Sequence, residues 1–283
     1  MSKGLFIGLN LRNAVGKAVV YCLLCAGAVV ILMPFAWMIS TSLKDLSHVF
    51  RWPPEFIPNP IVLENYPRAL TKLPFDIYLG NTLLIVGATL IGELGVSAVV
   101  AYAFSRLRWR GRDALFIVVL ATMMLPRQVT LIPDFLIFRF FGMYDTYWPL
   151  VIPSWFGNPF YIFLIRQYFM TISRELDEAA LLDGCSKFGV FWRITLPLSL
   201  PVLAAVAIFS FQYHWNDFFR PLIFLSDTDK ATLALGLRYF QGTYGTEWNS
   251  LMAASLVVMM PLIIVFFFAQ RIFIQGVVFT GYK

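Results

Sequence analysis

Read from the N-terminus, the chain alternates long apolar stretches with polar connections, and the lengths of those stretches decide its class. A helix rises about 1.5 Å per residue, so about 20 mostly apolar residues cross the hydrocarbon core of a bilayer. Residues 17–42, 80–105, 113–133, 147–168, 197–225 and 251–273 each meet that requirement. The pattern predicts an all-α membrane protein with six transmembrane helices. A signal peptide has an apolar region of about 7–15 residues. The first stretch runs on past that through Met33-Pro34-Phe35 to Trp37, so it is expected to remain as an anchor.

Composition strengthens the membrane assignment. Of 283 residues, 59% are hydrophobic and 13% charged, with a mean hydropathy of +0.73; an ordinary soluble domain carries about 25% charged residues. The net charge of +6 does not point to nucleic acid, because the basic residues sit in short connections between apolar stretches and not on one soluble face. Lys and Arg near span ends concentrate on the cytoplasmic side. Arg106, Arg108, Arg110 and Arg112 crowd one short turn, whereas the basic residues of the 43–79 segment are spread out. This orientation puts both termini in the cytoplasm. Residues 1–16 form a cytoplasmic N-terminal segment, 17–42 the first span, 43–79 an extracytoplasmic loop and 274–283 a cytoplasmic tail. Pro53, Pro54, Pro58 and Pro60 favour extended or turn backbone in that outer loop. Cys22 and Cys25 are spaced as C-x-x-C but lie inside an apolar run, and Cys185 is isolated, so no redox, zinc or disulfide chemistry is expected.

The connection at 166–196 is long enough to carry structure of its own. It offers Ser173 as a helix N-cap, Glu175 and Asp177 in a first turn, and Gly184 as a stop. Leu176, Ala179, Ala180 and Asp183 fall on one face at helical spacing, with two alanines small enough to admit another backbone. So short a helix needs external contacts to persist. Docking against a partner protein and resting on lipid both satisfy that need.

Glu178-Ala179-Ala180, then Asp183-Gly184, then Ile194 and Leu196-Pro197, resembles the EAA loop of bacterial ABC import permeases. Leu125-Pro126, Ile132-Pro133 and Trp215-Asn216-Asp217-Phe218 resemble stretches of the carbohydrate-uptake subfamily, with a pattern like that of the smaller maltose-type permease subunits. The resemblance implies a type I ABC importer permease fold, with residues 80–273 as the permease core and 166–196 as its coupling loop. It implies a multi-pass subunit of the bacterial cytoplasmic (inner) membrane that imports a sugar or related polyol by alternating access. Its partners would be a second permease subunit, making a heterodimer, two ATPase subunits and an extracytoplasmic solute-binding protein. Glu178, Ala179, Ala180, Asp183 and Gly184 would seat in the ATPase. The chain has no G-x-x-x-x-G-K-[ST] phosphate loop, so no cofactor is expected in it, and ATP with Mg would be held by the partner.

Polar residues inside apolar stretches face protein or a watery path, because an ionisable group at mid-bilayer costs at least about 2.5 kcal/mol. Glu93, beside Gly92 and Gly95, is either a structural clamp or part of the transport path. The fifth stretch carries Gln212, His214, Asn216 and Asp217; its amides and carboxylate, with Phe211, Tyr213 and Trp215 nearby, are the groups a sugar needs, and would equally suit an interface to a second permease. By resemblance, Gln241, Gly242 and Tyr244 in the outer loop 226–250 would meet the binding protein. With no H-E-x-x-H, no G-x-S-x-G and only two histidines, no catalytic centre or metal site is expected. The rival reading is a secondary transporter of a small polar solute, working without ATP.

Overall fold

The computed structural model describes residues 3–242 and 245–278. In chain order its helices are α1 (Lys3–Ser42), α2 (Asn65–Lys72), α3 (Phe75–Ser105), α4 (Arg112–Ala121), α5 (Arg127–Phe140), α6 (Trp148–Val151), α7 (Pro159–Thr171) and α8 (Arg174–Leu182). There follow α9 (Lys187–Val190), α10 (Leu196–Leu198), α11 (Leu200–Trp215), α12 (Phe219–Phe224), α13 (Leu233–Gly236) and α14 (Trp248–Val278). A two-stranded hairpin, β1 (Gln241–Gly242) with β2 (Gly245–Thr246), precedes α14.

Among the described residues three helical segments are long and apolar enough to cross a membrane alone: Gly16–Ser42, Phe75–Ser105 and Trp248–Gln270. Two bent pairs add to them, Arg112–Met124 with Gln128–Phe140 at 99° and Lys187–Leu198 with Leu200–Trp215 at 76°, which gives up to five spans. Several boundaries therefore differ from the hydropathy reading. The second stretch starts at Phe75, not residue 80. The third is no continuous helix over 113–133, because Leu125 precedes Pro126 and is extended (φ −79°, ψ 117°), as a residue before proline prefers. The fourth opens as α6 and a 3₁₀ turn over Ile152–Phe156, with Pro149 and Pro153, and becomes regular only from Pro159. The fifth breaks at Ser199 (φ −101°, ψ 10°), before Pro201, and ends at Trp215 instead of reaching 225.

The chain divides into two compact units, residues 1–72 with 240–257 and residues 73–239 with 258–283. In the first, residues 16–34 of α1 are exposed throughout although almost wholly apolar. A helix of that kind needs lipid or another protein around it. Buried Asn65 pins the chain beyond α1 by donating Nδ2 to the carbonyls of Ser42 and Lys44 at 2.9 and 2.8 Å, and Asn249 donates to Asn65 Oδ1 at 3.1 Å.

In the second unit α3 is the central post, packed against α7 and α11. Ala98, Ala101, Tyr102, Phe104, Ile165, Phe169 and Val206 form its main core. A second cluster joins Ile85, Leu150, Val151, Phe224 and Leu225. Gly92 admits the Trp155 ring, which lies 2.5 Å from where a Cβ would stand, and Trp155 donates Nε1 to the Ala88 carbonyl at 3.1 Å. Gly95 has open space instead.

Candidate functional site

Two features of the second unit concentrate chemistry. The first is the elbow formed by α8. Ser173 Oγ accepts from the Glu175 N–H at 3.3 Å, and Glu175 and Asp177 complement the helix dipole in the first turn. The end is equally well made. Gly184 takes φ +82°, the Cys185 N–H donates to the Ala180 carbonyl at 2.9 Å and the Gly184 N–H to the Leu181 carbonyl at 3.1 Å. That pair of bonds is the Schellman termination that a left-handed glycine permits. Ser186 Oγ then accepts from the Gly189 N–H at 3.1 Å and opens α9.

No residue of α8 is buried. Glu178, Ala179, Asp183 and Gly184 are exposed and Ala180 half-buried, and Leu182 is 89% and Phe188 70% exposed. The capped helix thus presents apolar and acidic side chains outward. It is held by Arg106, just past the end of α3, whose side chain is only 3% exposed and meets Asp177 Oδ2 at 3.0 Å.

The second feature is a cavity of about 800 Å³. Its polar lining includes Glu93, Gln128, Asp134, Asn216, Asp217 and Arg220, with Tyr213, Phe218 and Phe219 among its rings. Behind the wall, Glu93 is fully engaged. Oε1 accepts from Asn158 Nδ2 at 3.0 Å, and Oε2 accepts from Ser210 Oγ at 2.6 Å and faces His214 Nε2 at 3.1 Å. Asn158 also caps α7 by accepting from the Phe160 N–H at 3.0 Å, and its own N–H donates to Ser97 Oγ at 3.2 Å. One buried carboxylate thus ties α3, α7 and α11 at the edge of the cavity. Arg220 donates to the carbonyls of Pro149 and Leu150, and its N–H donates to Asp217 Oδ1 at 3.3 Å.

The residues singled out in the sequence are brought together only in part. Glu93, Asn216 and Asp217 line the one cavity. Gln212 is exposed and is not among its lining residues; its carbonyl accepts from Asn216 Nδ2 at 2.8 Å, because α11 stops there. Trp215 is buried, donating Nε1 to the Val258 carbonyl at 3.1 Å, and so presents no ring to a solute. Gln241 and Gly242 are exposed in β1 of the other unit, and Tyr244 and residues 279–283 of the expected tail lie outside the described residues. Of the Glu93 partners, His214 stands out in the sequence as a polar residue of the fifth stretch, whereas Asn158 and Ser210 do not. For Ser210, its place one turn before His214 on the same helix face was the signal available. Among the described residues no group of His, Cys, Asp and Glu is arranged to hold a metal.

Residues 93–278 match the family described as the binding-protein-dependent transport system inner membrane component. The chain is 34% identical over 266 residues to the probable ABC transporter permease protein YurM of Bacillus subtilis (strain 168), covering 93% of this chain and 87% of the relative. It is 33% identical to the sn-glycerol-3-phosphate transport system permease protein UgpE of Yersinia pestis bv. Antiqua (strain Antiqua), covering 92% and 95%. It is also 33% identical to the arabinooligosaccharides transport system permease protein AraQ of Halalkalibacterium halodurans, covering 81% and 82%. Among solved structures, a chain of a bacterial ABC transporter involved in the import of the acidic polysaccharide alginate superposes with a TM-score of 0.81 at 25% identity, over 92% of this chain and 97% of that one.

Proposed function

This chain belongs to the family of binding-protein-dependent transport system inner membrane components, and on that footing we propose that it is one permease half of an importer for a sugar or related polyol. It is a multi-pass inner-membrane protein with the type I ABC importer permease fold. In the proposed working assembly the chain crosses the membrane six times with both termini in the cytoplasm. It pairs with a second permease, two ATPase subunits and an extracytoplasmic binding protein. ATP and Mg are handled by the ATPases.

The observation that carries this reading is the α8 elbow, capped at both ends and unburied along its length. Glu178, Ala179, Ala180, Asp183 and Gly184 enter a cleft of the ATPase, and closure of the ATPase pair on ATP moves the elbow and swings the spans outward. Hydrolysis resets them. The solute passes the cavity at Glu93, Asn216 and Asp217, where carboxylates and amides bond hydroxyls and rings cover C–H faces. Relatives named for arabinooligosaccharides and sn-glycerol-3-phosphate support a hydroxylated solute of this class. Gln241, Gly242 and Tyr244 meet the binding protein. A ligand shifts such an equilibrium only through its differential affinity for the two states, so the docked binding protein favours the outward state and stimulates ATP hydrolysis.

The test is Glu178→Lys, which reverses a charge on an exposed position and leaves the fold intact. Vesicles holding the whole transporter are expected to lose ATP-driven uptake and stimulated hydrolysis. Unchanged uptake would remove the elbow from the mechanism, and uptake by the permeases without ATP would favour a secondary transporter.

A further inference from the structure

The charge-rich turn after α3 serves topology if its arginines simply sit in water beside the membrane, and Arg108 and Arg110 are exposed as that role requires. Arg106 is different. Its side chain is 3% exposed, and it reaches two separate segments. Nη1 donates to Asp177 Oδ2 at 3.0 Å, in the first turn of the elbow, and Nη2 donates to the carbonyls of Phe169 and Ile172 at 2.5 and 2.8 Å, at the end of α7. One turn earlier on the same face of α3, Tyr102 donates its hydroxyl to the Lys187 carbonyl at 3.0 Å, on the far side of the elbow. The Tyr102 ring packs on Phe191 and Phe169, with centroids 5.0 and 6.4 Å away.

From these contacts we infer that Tyr102 and Arg106 are positioning residues that grip the coupling elbow at both ends and make it move as one body with α3. The physical reason is the cost of separation. If α8 moved without α3, the buried Arg106 guanidinium and the Asp177 carboxylate would lose each other and the Tyr102 hydroxyl would lose the Lys187 carbonyl, leaving uncompensated polar groups out of water. α3 is one helix from Phe75 to Ser105 with no internal proline. Glu93, which lines the cavity and binds Asn158 and Ser210, stands on this helix about 20 Å from Arg106 at 1.5 Å per residue. A displacement delivered at the elbow therefore reaches the cavity along a single unbroken rod. This grip deepens the proposed permease function and rests on it.

The experiment uses the complete transporter, with partner permease, ATPases and binding protein, in vesicles. Tyr102→Phe keeps the ring and removes only the hydroxyl. Asp177→Asn keeps the side chain's shape and removes its charge. We expect the double variant to assemble in normal amount and hydrolyse ATP at the basal rate, while solute imported per ATP hydrolysed falls about fivefold or more. A residue needed only for folding would lower the amount of complex and leave that ratio alone, and such a result, or an unchanged ratio in a normally assembled complex, overturns the inference. If wild type imports with ATP and loses import on Glu178→Lys while the double variant stays coupled, only the grip fails. If wild type imports without ATP, the permease reading fails and the grip with it.

Discussion

At the residue scale, Glu93 shows how a carboxylate persists in an apolar helix bundle. Both of its oxygens are engaged, by Asn158 on one side and by Ser210 and His214 on the other, so its charge is shared across three helices. Removing one member of a buried polar set costs more than the set contributes, because the partners stay buried without it. Glu93→Ala is expected to destabilise the protein by about 3 kcal/mol, and Glu93→Gln, which keeps one acceptor oxygen, by about 1–2 kcal/mol. Thermal unfolding in detergent would read both, and an alanine variant as stable as wild type would contradict the clamp. Glu93 itself was legible in the sequence as an ionisable residue amid apolar ones. Its pairings were not, since Asn158 and Ser210 lie 65 and 117 positions away and no local pattern encodes such contacts. Trp215 failed for the related reason that an aromatic in a span reads the same whether it faces a solute or the core.

At the element scale, local chemistry survives from sequence to structure best where it closes on itself. The elbow from Ser173 to Gly184 was readable because its cap, dipole and stop lie within one short segment. The spans were less so, because hydropathy measures how apolar a stretch is and not whether the helix continues, which Pro126 and Pro201 decide. The connection between α5 and α6 is a further case of structure made by long-range bonds. Asp145, at φ +57°, accepts the Ser226 and Asp227 N–H groups at 2.9 and 3.1 Å and meets Lys230 Nζ at 2.8 Å. The Lys230 ammonium, helped by those two N–H groups, lowers the Asp145 pKa to about 2. Because the folded value lies below that of the unfolded chain, about 3.9, the stabilisation is complete above pH 4 and lost as pH falls through 2. The pair is partly exposed, so solvent screening keeps its worth small. Hydrogen exchange across residues 224–232 should be equally protected, after correction for intrinsic rates, from pH 5 to 8 and lose protection below pH 4. Asp145→Asn should abolish that acid dependence; an unchanged pH profile in the variant would show that Asp145 is not its source.

At the scale of the whole molecule, function depends on which side of the membrane the elbow occupies, and that is a question of parity. With the arginine turn after α3 inside the cell, as short basic connections favour, α3 puts the segment before it outside. The chain must then cross outward and return before reaching α8, which requires the bent α4–α5 pair to traverse the bilayer and α6 with α7 to come back. A sharply bent pair of helices is also the shape of a re-entrant loop, which leaves on the side it entered. Were α4–α5 of that kind, α6 and α7 would carry the elbow outside, away from any ATPase. The two cases separate in a variant with Cys22, Cys25 and Cys185 replaced by alanine and single cysteines placed at Ile57 or Phe188, which are 83% and 70% exposed. A membrane-impermeant maleimide is expected to label Ile57→Cys on intact cells and Phe188→Cys only after permeabilisation. Labelling of Phe188→Cys on intact cells would place the elbow outside, where no cytoplasmic ATPase reaches it, and would defeat the importer mechanism at its first step.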